Sequence, residues 1–133
     1  MEFLELAELS NGNIFAVTAA IAAYENGYEW LEKLKKYLQS NIDYIDEFLR
    51  DNIPAIKVCI PQASFLIWLD CRDLKLNEKD LKDLFINKAG LALNPGTSFG
   101  PGGEGFMRLN IGCPKETLTL AMNKLKSAVV ESF

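Results

Sequence analysis

Between Gly90 and Cys113 the chain reads GLALNPGTSFGPGGEGFMRLNIGC: a short apolar segment, a glycine-rich loop, then a second apolar segment with one arginine in its middle. This stretch restricts the fold more than any other. Two extended runs joined by a mouldable loop predict neighbouring strands. Side chains alternate across a strand, so Phe106, Arg108 and Asn110 share one face, and Met107, Leu109 and Ile111 share the other. An arginine in such a strand either reaches water at an edge or meets an anion, because an always-charged guanidinium is costly to bury unpaired. A carboxylate satisfies it best, through two parallel N–H···O bonds. Spacing alone leaves two readings open: a surface or salt-bridged arginine, with Glu104 or Asp70 as possible partners, and an anion-binding site.

The remaining elements assemble around that stretch. Residues Met1 to Ser10 alternate acidic and apolar residues and read as a helical turn or as the end of something larger. Ser10, Asn11 and Asn13 are N-cap candidates for an alanine-rich helix with Phe15, Ala19, Ala22 and Ala23 on one face, broken at Gly27. A long helix follows from about Tyr28 to Asp51, and Leu31, Leu34, Leu38, Ile42, Ile45 and Leu49 form its apolar stripe. Pro54 closes it. Ile56–Ile60 and Phe65–Leu69 predict strands. The second is continuously apolar, which suggests cover on both faces or a central position and puts Trp68 in the core. Asp70, Arg72 and Asp73 solvate a turn at its end.

Asn77, with Asp80 three residues on, caps a helix over residues 77–90. Leu81, Leu84, Phe85 and Lys88 fall at helical spacing along it, and Gly90 is its C-cap. Leu91–Leu93 predicts a short strand. Pro114 opens a final helix whose stripe is Leu118, Met122, Leu125 and Val129. The order of these elements predicts an α+β fold, a small, largely antiparallel sheet covered by helices.

Composition removes several function classes. A net charge of −4 over 133 residues argues against nucleic acid. No apolar run is long enough to span a bilayer, and the acidic N-terminus carries no export signal, so the expected location is cytoplasmic. With no histidine, the common zinc sites and Ser-His or Cys-His pairs are unavailable, and no metal site is expected. Cys59, Cys71 and Cys113 fit no metal spacing and read as reduced thiols. The loop contains Gly100-Pro101-Gly102-Gly103-Glu104-Gly105, a literal G-x-G-x-x-G, but a strand follows it where dinucleotide binding needs a helix. Its glycines permit sharp turns, and such loops often cover sites.

The segment NPGTSFGPGGEGFMRLNIGCP strongly resembles the C-terminal motif of pyridoxal-phosphate enzymes of the aspartate-aminotransferase fold. Within them it is closest to the cystathionine β-lyase and C–S lyase branch of the class I/II aminotransferases. NIFAVTAAIAAYENGYEWLEKLKKYL, NIDYIDEFL and ASFLIWLDCRDL agree, so the resemblance runs from about Asn11 to the end. It implies a single domain over residues 1–133, the C-terminal small domain of that fold. Leading helices would occupy 11–51 and a small substrate-carboxylate domain 52–133, with the large cofactor domain absent.

By the same resemblance Arg108 holds the substrate α-carboxylate, and Asn94, Gly96, Phe99 and Gly100 belong to a loop at the active-site mouth. No catalytic and no cofactor-binding residue carries over. The Ser-x-x-Lys-like cofactor segment is missing, since Ser10, Ser40, Ser64, Ser98 and Ser127 have no lysine at that spacing. Pyridoxal 5'-phosphate is therefore expected in the full-length parent, together with an amino-acid substrate, and not on this chain, which should be inert alone. The expected partners are the missing large domain and a second copy in a homo-oligomer. The lyase or aminotransferase parent competes with a stand-alone amino-acid-binding regulatory module and with a purely oligomerising domain. An exposed apolar patch on the alanine-rich helix is expected if a partner normally covers it.

Overall fold

The computed structural model describes residues 13–132. The reading of Met1–Ser10, and the cap candidates Ser10 and Asn11, lie outside them. The chain divides between Tyr37 and Leu38 into two compact units.

The first unit holds α1, Ile14–Asn26, and the beginning of α2, Tyr28–Asn52. Asn13 caps α1, its side-chain oxygen accepting the Phe15 N–H at 2.8 Å. Every residue of α1 is exposed, Ile14, Phe15 and Tyr24 by 75, 79 and 91 %. That is the expected uncovered patch. The break at Gly27 is slight. Its backbone stays right-handed, and its N–H still reaches the Ala23 carbonyl at 2.8 Å. A Cβ there would lie 2.4 Å from that same carbonyl oxygen, so glycine is required by close approach.

The second unit begins in α2 and is built on the small antiparallel sheet that the sequence predicts, here four strands in the order β1-β2-β4-β3. The strands are β1, Lys57–Cys59; β2, Leu66–Asp70; β3, Asn94–Pro95; and β4, Phe106–Asn110. Met107, Leu109 and Ile111 are buried, while Phe106, Arg108 and Asn110 are not. The buried face meets Ile42, Ile45 and Leu49 of α2, Leu81, Leu84 and Phe85, and Leu118, Met122, Leu125 and Ala128 of the last helix. Each fully buried side chain of this size contributes roughly 1.5–3 kcal/mol relative to exposure.

Several expectations shift. Leu31, at 43 % exposure, does not share the burial of Ile42, Ile45 and Leu49, so the α2 stripe is core only in its second half. Asn41, off that stripe, is wholly buried and donates its amide to the carbonyls of Ile111, 3.0 Å, and Cys113, 3.3 Å. α3, Glu78–Lys82, runs into a π-helical turn over Asp83–Lys88. There the Ala89 N–H reaches back five residues to Leu84 at 2.9 Å. The wider turn moves the inward position by one: Ala89 is buried, and Lys88 points out to Ser132 Oγ at 3.1 Å. Asn77 caps α3 reciprocally with Asp80, accepting its N–H at 2.9 Å and donating to its carboxylate at 2.7 Å. Gly90 takes the left-handed conformation expected of a helix stop.

The strand expected at Leu91–Leu93 forms instead at Asn94–Pro95. The Leu93 N–H closes on the Leu91 carbonyl at 2.8 Å, a three-residue turn that keeps those groups out of the ladder. The last helix, α4, spans Lys115–Val130 behind Pro114, with Ala128 rather than Val129 completing its buried stripe.

Candidate functional site: an arginine beside an aromatic cleft

β2 lies centrally but is covered on one face only. Ile67 and Leu69 are buried, while Leu66, Trp68 and Asp70 lie on the side away from the core. Trp68 is thus not a core residue. The period-2 alternation is hidden in FLIWL because both faces are apolar, one for packing and one around an open surface.

On that open face the strand register sets three side chains in a row. Trp68 of β2 and Asn94 of β3 are each the direct partner of Arg108 on β4. Arg108 Nη2 donates a long hydrogen bond, 3.4 Å, to Asn94 Oδ1. Among the described residues no carboxylate pairs with Arg108. Asp70, one of the two carboxylates that could have neutralised it, is held by Arg72, whose Nε and Nη2 donate at 2.9 and 2.7 Å. This contact holds the Asp70 carboxyl below the usual carboxylate range. Among the described residues Glu104 joins no ion pair. The salt-bridged alternative for Arg108 therefore does not describe this arrangement.

Phe99 completes the group. A short 3-10 turn, Gly96–Phe99, delivers its ring against Arg108, whose Cζ lies 4.3 Å from the ring centroid. Trp68 meets the same ring edge-on, at 5.3 Å and 89°. Two features hold the turn. Thr97 Oγ1 donates to the Glu78 carboxylate at the start of α3, lowering the pKa of Glu78. Gly96 and Gly103 bring their backbones together so closely that a Cβ on either would fall within 2.2 Å of the other's main chain. Gly100, with φ at +118°, turns the loop after Phe99.

Beneath the loop lies an open cleft of about 320 Å³ lined by Cys59, Trp68, Gly96, Phe99, Gly100, Pro101, Gly102, Gly103 and Phe106. Of the five residues singled out from the sequence, Gly96, Phe99 and Gly100 line this cleft, and Phe99 and Asn94 contact Arg108. Trp68, Phe106 and Cys59 were missed. Alternation with Arg108 could have found Phe106. Trp68 and Cys59 enter only through cross-strand register, Cys59 opposite Trp68. The Cys59 thiol is pushed up by partial burial, so it is a weak nucleophile. No lining side chain is a lysine or any other cation. The cleft thus offers a largely aromatic surface with a hydrogen-bond-donating cation beside it, an arrangement that can bind an anion and orient it.

The chain is similar to proteins of known family and fold. The sequence pattern of the family described as aminotransferase class I and II matches residues 8–125. Cystathionine beta-lyase PatB of Bacillus subtilis (strain 168) is 44 % identical over 117 residues, 88 % of this chain and 30 % of that protein. Two solved structures superpose closely. Cystalysin from Treponema denticola, which contains a pyridoxal 5'-phosphate cofactor, gives a TM-score of 0.90 at 26 % identity, over 98 % of this chain and 34 % of that one. The pyridoxal-phosphate-bound C–S lyase from Staphylococcus hominis gives 0.83 at 34 %, over 96 % and 34 %. The chain spans about a third of the length of these relatives. With the antiparallel sheet, the loop and the strand arginine in place, and a family pattern that covers most of its residues, this chain belongs to the aminotransferase class I and II family.

Proposed function

We propose that this chain supplies the substrate-carboxylate end of a pyridoxal-phosphate-dependent enzyme, a carbon–sulfur lyase of the cystathionine β-lyase kind, with aminotransfer as the alternative reaction. The observation that carries the reading is Arg108: a guanidinium on an open sheet face, with no carboxylate partner among the described residues, next to an aromatic cleft. Its free N–H groups would grip the α-carboxylate of an amino acid. Asn94 fixes one side of the guanidinium and Phe99 lies against it.

The cleft residues do not fit the cofactor itself, for they offer no amine to form a Schiff base. When bound elsewhere in the enzyme, that cofactor supplies the electron sink for the substrate carbanion. In this reading residues 52–133 are the small carboxylate-binding domain, 11–51 the helices leading into it, and the cofactor belongs to a large domain outside this sequence. The exposed α1 surface would be covered by that large domain, and the whole enzyme would be a cytoplasmic homo-oligomer.

The test is complementation. The chain is co-produced with PatB from which the matching C-terminal segment has been removed, and thiol release from L-cystathionine is followed. Wild-type chain should restore activity and Arg108→Ala should not. Equal restoration by both, or by neither, would refute the assignment.

A further inference from the structure

We propose that Phe99 is a positioning residue for Arg108, holding the guanidinium in place without using up the N–H groups a carboxylate needs. The inference rests on the reading of Arg108 given above. An arginine without an ion-pair partner has many rotamers open to it. Each one that points elsewhere lowers the fraction of molecules able to bind and so weakens apparent affinity.

Three contacts oppose that loss here. Asn94 takes only one donor, over a long 3.4 Å. The Phe99 ring sits 4.3 Å from Arg108 Cζ and, having no acceptor atom, attracts the cation while leaving its other N–H groups available. Trp68, the cross-strand partner of Arg108, braces the Phe99 ring edge-on at 5.3 Å. Burial does not explain where Phe99 sits, because it remains 51 % exposed. Its place is set by the turn between Gly96 and Gly100 and by the two side chains it touches. The aromatic residue and the arginine come from different segments and meet only because the loop folds back over the sheet.

The experiment uses the whole chain with isotope-labelled arginine, L-alanine as the carboxylate probe, and the variants F99L and F99Y. In the wild type the Phe99 ring current should displace the Arg108 Nε–Hε signal, and L-alanine should move it further. F99L should abolish the ring displacement and weaken L-alanine binding roughly fivefold, with F99Y restoring both. Because Phe99 is half exposed, F99L should keep the core methyl spectrum of the wild type. An Arg108 signal and L-alanine affinity that are the same in F99L and wild type would overturn the positioning role. If L-alanine moves Arg108 equally in every variant, the carboxylate reading stands and the inference falls. If the ring displacement is present but L-alanine never perturbs Arg108, the carboxylate reading falls and takes the positioning role with it.

Discussion

Arg108 and Trp68 are direct partners across the β2–β4 ladder, and both touch the same Phe99 ring, the guanidinium over its face and the indole in a T-shaped contact. The arginine is therefore held chiefly by aromatic contact rather than by charge. Replacing it should do little to the fold. Arg108→Ala should change stability by less than about 1 kcal/mol, since a partly exposed cation–π contact is worth about that. In the complemented enzyme the same variant should lower kcat/KM by roughly ten- to a hundredfold or more, at about 1.5–3 kcal/mol for each charge-assisted hydrogen bond lost. Thermal unfolding and steady-state kinetics on the one variant separate the two effects.

The Gly96–Gly103 contact gives a loop-specific prediction. A Cβ at Gly103 would lie 2.2 Å from the carbonyl oxygen of Gly96, so Gly103→Ala must push the turn apart. A cost of about 1–3 kcal/mol is expected from such overpacking. Pro101→Ala, at an exposed position of the same loop, should stay within about 0.5 kcal/mol of wild type. The measurement is the Tm of both variants, and equal values would contradict the close approach.

Asp70 ties stability to pH. Its folded pKa lies below the ordinary carboxylate range, chiefly through the hydrogen bonds from the Arg72 side chain. A depressed folded pKa adds stability above the unfolded carboxylate value, and that stability is lost as pH falls through the folded value. Asp70→Asn should therefore be less stable than wild type near neutral pH and converge with it in acid. Chemical denaturation across that window checks the sign, and a gap that widened on acidification would exclude this account.

The thiols should separate by reactivity. Cys71 is 2 % exposed, and burial pushes its pKa up to about 12, while Cys59 is exposed at the edge of the sheet. At mildly alkaline pH a disulfide reagent should modify Cys59 in the folded chain. Cys71 should react only at the rate at which the protein opens. Prompt labelling of Cys71 in native buffer would show that its packing is wrong.

How far the sequence alone reaches is clear from individual residues. The alternation of Met107, Leu109 and Ile111 with Phe106, Arg108 and Asn110 is a local signal, and the strand follows it. So are the Asn77 cap and the Gly90 stop. Trp68 was hidden because its strand is apolar on both faces, so periodicity could not say which face is covered. Asn41 was hidden because its partners, the carbonyls of Ile111 and Cys113, are some seventy residues away. The π-turn in α3 moved burial from Lys88 to Ala89 through a single extra residue in the ring of hydrogen bonds, and no propensity scale marks that. At the site, the arginine and its loop were legible as a motif. The ring stack depends on register and on how the loop folds back.

Asn41 has a consequence for motion. Its amide grips two main-chain carbonyls just beyond the end of β4, so that strand is harnessed to the second half of α2. In hydrogen exchange the Ile111 and Ile45 amides should open as one event, and independent opening would speak against such harnessing. A helix that slides or rolls then hauls Arg108 along with it, and the turn that carries Phe99 must follow to keep its ring on the guanidinium.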